Sequence, residues 1–431
     1  MKVSKYALML STVSANPCWD CLKYGSPESV GMLSQPLMAM EANISAYGNA
    51  ANYLGFSYDQ VHPIEPGAAV LVGHEGTIVS SFATGQALLY ADVNGTLLPR
   101  QQQINATVDS IYDMASLTKL FTTIAALREI EAGNLDLNAT VATYVPAFAT
   151  NGKQNVTILQ LLTHTSGFAP DPNPNLYELA YYTTIEQRRY AIVMQGLENE
   201  PGTAYVYSDL NFMNLFIVLE TITGKTIDVL IYEFTSALGM SNTFYNRGNV
   251  EGPAFPYYDR MVAEEFQIAV LGPTEPQRPQ PVRGTVHDEN AYSLDGVSGH
   301  AGLFSTVGDT AIFCQMILNN GTYNGQQILK PETVDMIFHN YNTAFPGDAH
   351  GLGFELDQYY WAGPMANPLI AGHTGFTGTT LAIDRATNTF FILHANRVHP
   401  SREWSSNNIC REVLGYWVAT ALGRNVEFPS L

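Results

Sequence analysis

The stretch Met114-Ala115-Ser116-Leu117-Thr118-Lys119 leads directly into a run of apolar residues with helical period. The apolar positions are Leu120, Phe121, Ile124, Leu127 and Ile130, and Gly133 follows them as a stop signal. The apolar period covers residues 117–130, and we expect the helix to begin at or just before Ser116. Such a helix places Ser116 and Lys119 one turn apart on the same face.

Ser116-Leu117-Thr118-Lys119 is the only Ser-x-x-Lys in the chain. A serine hydroxyl is a poor nucleophile until a base removes its proton, and a lysine becomes such a base when burial lowers its pKa. The same four residues would also suit an N-cap serine followed by a surface lysine. The motif alone does not decide between these two interpretations.

Two further segments lie downstream in an informative order. Tyr207-Ser208-Asp209 follows the turn at Pro201-Gly202, and Gly372-His373-Thr374-Gly375-Phe376-Thr377-Gly378 leads into a β-rich run. The three segments, on helix, loop and strand, resemble the active-site signature of the β-lactamase and penicillin-binding protein superfamily. The closer resemblance is to the class C β-lactamase-like serine hydrolases, in which the second segment begins with tyrosine.

Other stretches agree with this resemblance. They are Leu161-Leu162-Thr163-His164-Thr165-Ser166-Gly167-Phe168, Val286-His287-Asp288-Glu289-Asn290-Ala291 and Gly299-His300-Ala301-Gly302-Leu303-Phe304. The last two look like a bacterial subgroup named as penicillin-binding proteins or D-alanyl-D-alanine carboxypeptidases. The resemblance covers roughly residues 25–425 and implies an α+β fold. In that fold an antiparallel sheet is flanked by helices, and an all-helical subdomain, here at about 135–290, is inserted into one catalytic domain.

The resemblance also assigns roles to individual residues. Ser116 would attack a carbonyl to form an acyl-enzyme, while Lys119 and Tyr207 would take the serine proton and return it to the leaving group. The backbone N–H groups of Ser116 and Phe376 would form the oxyanion hole. The substrate-binding positions would be Asp209, His373, Thr374 and Gly375. Lys119 would supply the positive charge that an ionised Tyr207 requires at neutral pH.

Two residues depart from the family pattern. The usual Tyr-x-Asn is Tyr207-Ser208-Asp209 here, so an amide that donates hydrogen bonds becomes a carboxylate. The usual Lys-Thr-Gly is His373-Thr374-Gly375, so a permanent cation becomes a group that is largely neutral at pH 7. Both changes weaken the expectation of a β-lactam substrate. They favour hydrolysis of a small ester or amide, with a D-alanyl-D-alanine carboxypeptidase or β-lactamase-type activity as the alternative. An inactive secreted binding protein is the alternative of another class.

The remaining pattern supports a sheet built from both ends of the chain. Residues 68–74 and 77–83 form β-rich runs around the turn Glu75-Gly76, and residues 378–383 and 389–394 form two more. Helical patterns cover about 29–54, 159–162, 210–223, 310–318 and 403–422, and a Pro-rich connection covers 272–281. Strands at both ends with helices between them indicate one domain rather than two.

Composition and charge limit the classes of partner that the chain is expected to bind. The chain has 431 residues, 46% hydrophobic and 14% charged, with a net charge of −19 that opposes binding to nucleic acid and anionic membranes. No stretch approaches the roughly 18 apolar residues of a membrane span. We expect a small-molecule or short-peptide substrate and no cofactor, and the oligomeric state is not predicted.

Histidines and acidic residues near the motifs have simpler explanations than a metal site. His164 is expected to be a hydrogen-bonded structural histidine. The set His287, Asp288, Glu289 and His300 could line the pocket or, less readily, bind a metal, but no His-Glu-x-x-His spacing is present. No metal is predicted.

The N-terminus predicts export. Lys2 and Lys5 precede an apolar stretch and a small-residue site ending at Ala15, the pattern of a signal peptide over 1–15. The expected location is secreted, and six Asn-x-Ser/Thr sequons fit glycosylation in a eukaryotic host: Asn43, Asn94, Asn105, Asn138, Asn155 and Asn320. The four cysteines, Cys18, Cys21, Cys314 and Cys410, allow two disulfides, and a terminal Cys18–Cys21 loop is the favoured pairing.

Overall fold

The computed structural model describes residues 20–51, 61–267 and 278–430. The predicted signal peptide, Cys18 and most of the Pro-rich connection lie outside these residues. Within the described ranges, no helix combines the length and the apolar character needed to cross a membrane.

The centre of the fold is an eight-stranded sheet, accompanied by two small sheets. The strands are β1 Lys23–Tyr24, β2 Gly67–His74, β3 Thr77–Leu88, β4 Ile104–Asn105, β5 Tyr112–Asp113, β6 Phe244–Tyr245, β7 Leu303–Ser305, β8 Thr322–Tyr323, β9 Gln326–Gln327, β10 Glu355–Leu356, β11 Ile370–Thr374, β12 Thr380–Asp384 and β13 Thr389–Ala395. The large sheet runs β1-β3-β2-β13-β12-β11-β10, with β4 on β3. Its pairings are antiparallel except β1 with β3, so the sheet is mixed rather than purely antiparallel.

The helices are α1 Ser34–Tyr47, α2 Thr118–Glu131, α3 Val141–Tyr144, α4 Ile158–Leu162, α5 Ile185–Met194, α6 Asp209–Thr223, α7 Ile227–Ala237, α8 Glu289–Ser293, α9 Val307–Leu318, α10 Pro331–Phe338, α11 Tyr359–Ala362 and α12 Asn408–Ala421. Helices α1, α11 and α12 cover one face of the sheet through one apolar core. Helices α2 and α9 belong to a second core on the other face, which extends into the helical region.

Every residue of β2 and β13 is buried, because helices cover both faces of the central strands. These two strands pair along their whole length, with Leu71 opposite Ile392. The predicted assembly of the sheet from the two ends of the chain is therefore confirmed. The expected α+β architecture, in which helices flank one sheet, is confirmed as well.

Three predicted element boundaries differ from the structure. Ser116 lies in a 3-10 turn, Ala115–Leu117, and α2 begins only at Thr118. Helix α1 is shorter than the predicted 29–54. Helix α12 begins at Asn408 rather than near residue 403, because the Arg397 guanidinium holds the preceding segment through the carbonyls of Arg402 and Ser405.

Two cysteines do not form the second disulfide that the sequence allows. Cys314 and Cys410 are both buried and carry free thiols. The Cys18–Cys21 pairing remains a prediction because Cys18 lies outside the described residues.

Candidate active site

The backbone around Ser116 is held in an unusual conformation. Ala115 has a φ of 44°, in the left-handed region that residues with a Cβ rarely adopt. Its N–H donates to Asp113 Oδ1 at 2.8 Å, and the second carboxylate oxygen of Asp113 accepts from the His287 N–H. The Met114 N–H donates to the Leu303 carbonyl at 2.9 Å. These bonds fix the turn that presents Ser116 to the cleft.

Lys119 lies directly beneath Ser116. Its Nζ donates to Ser116 Oγ at 3.0 Å and to the His300 carbonyl at 3.1 Å, and its side chain is 0% exposed. Thr118 and Thr122, on either side in α2, bond to the Gly299–Leu303 segment through their hydroxyls. The predicted pair of Ser116 and Lys119 is therefore assembled, with the lysine in the core and not on the surface.

Asp209 is placed differently from the prediction of a substrate-binding residue. It is the first residue of α6, and its Oδ1 forms an ion pair with Lys119 Nζ at 2.6 Å. The Asp209 N–H donates to the Pro170 carbonyl, and the adjacent Ser208 hydroxyl donates to the Ala169 carbonyl. The carboxylate is thus directed at Lys119, although it also borders the cleft.

Tyr207 lies beside the same lysine. The Lys119 Nζ is 5.0 Å from the centre of the Tyr207 ring. Contrary to the expectation from the sequence, Tyr207 is not poised to ionise: burial and the negative charge of Asp209 raise its pKa well above the ordinary value, although a hydrogen bond with Ser116 opposes this. The charge that was expected to ionise the phenol is paired with Asp209 instead.

His164 is a structural residue, as its motif suggested. Its Nδ1 accepts from the Ser208 N–H at 3.1 Å and lies 3.0 Å from the Asn211 amide. Its ring packs 4.6 Å from the Tyr207 ring. Burial keeps the pKa of His164 well below its ordinary value. A neutral His164 therefore fixes the position of Tyr207.

The end of β11 is fastened to the turn that carries Ser116. The Thr377 hydroxyl donates to the Asp113 carbonyl at 2.8 Å, and the Thr379 hydroxyl donates to the Met114 carbonyl at 3.1 Å. At Gly375 a Cβ would lie 2.0 Å from Thr379 Oγ1 and 2.7 Å from Met114 O, so only glycine fits. This contact places Phe376, the predicted oxyanion-hole partner, beside Ser116 at the cleft.

His373 is neutral, as predicted. Burial and the charge of Lys119 lower its pKa to about 3. Its Nδ1 donates to the Thr374 carbonyl at 2.7 Å. No fixed cation therefore stands at this family position, whatever the pH in the physiological range.

The cleft has two lobes that meet at Ser116. Seven of the eight predicted site residues line it, and Lys119 lies beneath it. The first lobe, of about 390 Å³, extends over Thr374 and Gly375 and contains Arg397 and Arg411, which the sequence analysis did not single out. Burial lowers the pKa of each guanidinium only to about 10, so both stay charged. Both arginines lie near the C-terminal end of the chain, where no motif marked them.

The second lobe, of about 440 Å³, is acidic and was only partly predicted. His287, Asp288 and Glu289 line it as expected, and Asp171 joins them without any sequence signal. Burial and the charges of Asp209 and Asp288 raise the pKa of Asp171 to about 6.

One oxygen or nitrogen of each of Asp209, Asp288 and His300 lies within 4.8 Å of the others, a spacing that a metal ion could use. Asp288 accepts from His300 Nε2 at 3.0 Å, and Asp209 forms an ion pair with Lys119 at 2.6 Å. Both carboxylates therefore already face a hydrogen-bond donor or a cation of the protein.

Comparison with known proteins agrees with this geometry. The family model described as Beta-lactamase matches residues 61–411. An Escherichia coli protein named "Putative D-alanyl-D-alanine carboxypeptidase" is 32% identical over 93% of this chain and 92% of its own length. Two solved structures share the fold: EstCE1, a hydrolase with promiscuous acyltransferase activity, and a class C β-lactamase from Rhodobacter sphaeroides. The first is 21% identical over 90% of this chain and 99% of its own, with a TM-score of 0.65, and the second is 18% identical over 91% and 100%, with a TM-score of 0.62. The chain belongs to the Beta-lactamase family.

Proposed function

We propose that this protein hydrolyses a small ester or amide through an acyl-enzyme on Ser116. The observation that carries the proposal is the 3.0 Å hydrogen bond between Ser116 Oγ and a wholly buried Lys119, at the point where the two lobes of the cleft meet. A serine beside a buried base can attack a carbonyl held in the cleft. Water then attacks the acyl-enzyme and regenerates Ser116.

Two features favour an ester or simple amide over a β-lactam. The family's lysine in the third motif is replaced by His373, whose pKa is lowered to about 3, so the side chain at this motif position supplies no cation for a β-lactam carboxylate. The family's asparagine is replaced by Asp209, whose carboxylate cannot donate to a substrate carbonyl.

A second candidate, a D-alanyl-D-alanine carboxypeptidase, is supported by one observation. Arg397 and Arg411 line the first lobe, where a substrate carboxylate could be held, and only Glu355 opposes them among its lining residues. The Glu355 carboxylate is itself engaged by Tyr360 and Trp361. The name of the Escherichia coli relative points the same way.

The first test is covalent labelling followed by intact-mass measurement. The purified protein is treated with a fluorophosphonate and, separately, with a penicillin, and Ser116→Ala serves as the control. A fluorophosphonate adduct that is lost in Ser116→Ala supports the serine hydrolase. Penicillin labelling in addition favours the carboxypeptidase, whereas its absence favours the esterase. No adduct with either reagent contradicts catalysis and leaves the binding protein as the better explanation.

We also propose that the protein is secreted and, in a eukaryotic host, glycosylated. Five sequon asparagines are exposed: Asn94, Asn105, Asn138, Asn155 and Asn320. Asn43 is half-buried, and its side-chain oxygen accepts from Trp417 Nε1 at 3.1 Å. Glycans are therefore expected at the five exposed positions and not at Asn43.

A further inference from the structure

The inference concerns where the Ser116 proton goes, and it rests on the proposed serine-hydrolase function. Lys119 Nζ has three close protein partners: it donates hydrogen bonds to Ser116 Oγ at 3.0 Å and to the His300 carbonyl at 3.1 Å, and it forms an ion pair with Asp209 Oδ1 at 2.6 Å, a buried oxygen that accepts no hydrogen bond within the described residues. An ammonium group has three protons and no lone pair. Paired in this way, Lys119 cannot accept a proton from Ser116 until it has released one of its own.

Only one of the three partners can receive that proton. A backbone carbonyl is not a base near neutral pH, and Ser116 is the group to be deprotonated. Asp209 is a carboxylate, it has the shortest contact with Nζ, and its side chain is 16% exposed. Tyr207 does not offer an alternative, since its pKa is raised and its phenol is already protonated.

We propose that Asp209 is the final proton acceptor in the activation of Ser116, acting through Lys119. Asp209 takes a proton from Lys119 Nζ, and Nζ takes the proton of the Ser116 hydroxyl as Oγ bonds to the substrate carbonyl carbon. The carbonyl electron pair moves to the oxygen. When the tetrahedral intermediate collapses, the bond to the leaving group breaks, and the departing oxygen or nitrogen receives one proton returned from Asp209 through Lys119, with the Tyr207 phenol, hydrogen-bonded to Ser116, as the immediate donor. Deacylation repeats the relay with water in place of Ser116.

Asp209 touches neither the substrate carbonyl nor Ser116, so it is a positioning residue that acts through Lys119. In this scheme Asp209, which replaces the family's asparagine, takes part in the activation of Ser116. The base is then the ion pair of Lys119 and Asp209 and not a free amine.

The proposal predicts a distinct pH dependence. An ionised carboxylate can accept a proton directly, whereas a lysine without a carboxylate partner accepts one only after it has become a free amine, which is favoured by higher pH. Asp209→Asn, the closest match in shape, removes the carboxylate and retains the amide of the family. Activation of Ser116 should then require a free Lys119 amine, and the acidic limb of the rate profile should move to higher pH.

Six titratable side chains face Asp209: Lys119, Tyr207, Asp171, Asp288, His300 and His373. The direct effects of these six side chains on the pH dependence of labelling are common to the wild type and the variant. Asp171, with a pKa of about 6, titrates inside the useful range. The comparison is therefore repeated in an Asp171→Asn background, where the shift caused by Asp209→Asn should persist.

The measurement is the second-order rate constant of fluorophosphonate labelling from pH 5 to pH 9. Fluoride leaves without a proton, so this rate reports activation of Ser116 and not protonation of the leaving group. We expect the wild type to be labelled toward the acidic end of this range. Asp209→Asn should be at least about 1000-fold slower than the wild type at pH 6, and its rate should rise about tenfold per pH unit toward pH 9, because the rate follows the fraction of free amine. Asp209→Glu should keep the acidic limb of the wild type, and the exposed Asp335→Asn on α10 serves as the remote control.

Two results would overturn the proposal. One is a wild-type rate that already disappears below about pH 8, which needs no variant and so does not depend on whether Asp209→Asn folds. The other is an Asp209→Asn profile that keeps its shape, whether unchanged or lowered equally at every pH, as a structural or substrate-binding role would give. Failure of the proposed function is distinguishable, because it would show as absence of labelling in the wild type at every pH.

Discussion

Tyr207 contacts the Ser116 hydroxyl and lies beside the ion pair of Lys119 and Asp209. Whether its phenol is protonated decides which role it can have in the proposed reaction. Burial and Asp209 keep the phenol neutral, which suits a proton donor to the leaving group better than a base. The hydrogen bond between Tyr207 and Ser116 and the packing of His164 hold the phenol at the reacting centre. The sequence predicted that Tyr207 both takes the serine proton and returns it to the leaving group. The structure favours only the second of these two roles.

We predict that Tyr207→Phe separates the two half-reactions. Fluorophosphonate labelling should stay within about tenfold of the wild type, whereas kcat for an alkyl ester should fall by about 100-fold to 1000-fold, because only the alkyl leaving group needs a proton. Tyr205→Phe, two residues away, is the matched control. Loss of labelling in Tyr207→Phe equal to the loss of turnover would show that the phenol is the base after all.

Sequence reasoning located the candidate site residues and the neutral His373, but not the ion pair between Lys119 and Asp209. Ser116, Lys119, Tyr207 and His373 are marked by motifs, and the structure brings them together. The pairing of Lys119 with Asp209 and the position of Asp171 depend on how the loop at 170–171 meets α6, which no local pattern describes. Arg411 was hidden in an amphipathic helix, where an arginine ordinarily predicts a solvent-exposed face.

The β11–β12 connection positions the cleft by direct backbone contact. Gly375 lies against Met114 and Thr379, and two threonine hydroxyls tie the connection to the nucleophile turn. Arg411 adds a further restraint, since its Nη2 donates to the Gly375 carbonyl at 3.1 Å. The position of Phe376, the predicted oxyanion-hole residue, thus depends on contacts from three elements.

We predict that Gly375→Ala lowers the labelling rate of Ser116 by about 100-fold while preserving the fold. The added methyl would overlap Thr379 Oγ1 and Met114 O, so the strand end must move away from Ser116. A displacement of about 1 Å at a reacting centre can cost about 100-fold in rate. Labelling rates and thermal unfolding are measured beside Gly196→Ala, where nothing lies within 4 Å of the added Cβ. Equal labelling rates for Gly375→Ala and Gly196→Ala would show that the close contact at Gly375 does not position the strand end beside Ser116.

Turn chemistry made most elements predictable, and tertiary contacts explain the exceptions. The β2–β3 hairpin turns at Glu75 and Gly76, both with positive φ, and α6 ends before Gly224 with a φ of 68°. The start of α12 was misplaced because its helical pattern continues into a segment that Arg397 holds in another conformation. The 3-10 turn at Ser116 was missed because Asp113 and β7 impose it from outside.

The whole molecule carries buried carboxyl groups that affect its stability. Glu65 is 1% exposed, and burial raises its pKa from 4.5 to about 7, although Asn407 donates to its Oε2 at 3.0 Å. Between these two pH values the folded state binds more protons than the unfolded state. Stability from this group is therefore fully present below about pH 4.5 and is lost as the pH rises through 7.

We predict that Glu65→Gln flattens the decline of stability between pH 5 and pH 8. The difference between variant and wild type should grow with pH to at most about 3 kcal/mol, since one pKa unit corresponds to about 1.4 kcal/mol. The melting temperature is measured by calorimetry at each pH, with the exposed Glu332→Gln as the control. Parallel curves for wild type and Glu65→Gln would contradict a raised pKa for Glu65.

The pairing of β2 with β13 has a consequence for how the protein is made. One edge of the wholly buried β2 finds its partner only when residues 389–395 have been synthesised, after most of the chain has left the ribosome. At ~5–20 residues per second, that edge stays open for tens of seconds. The nascent chain is therefore a natural client for chaperones that shield unpaired strands, and a circular permutant that makes β13 before β2 should need them less.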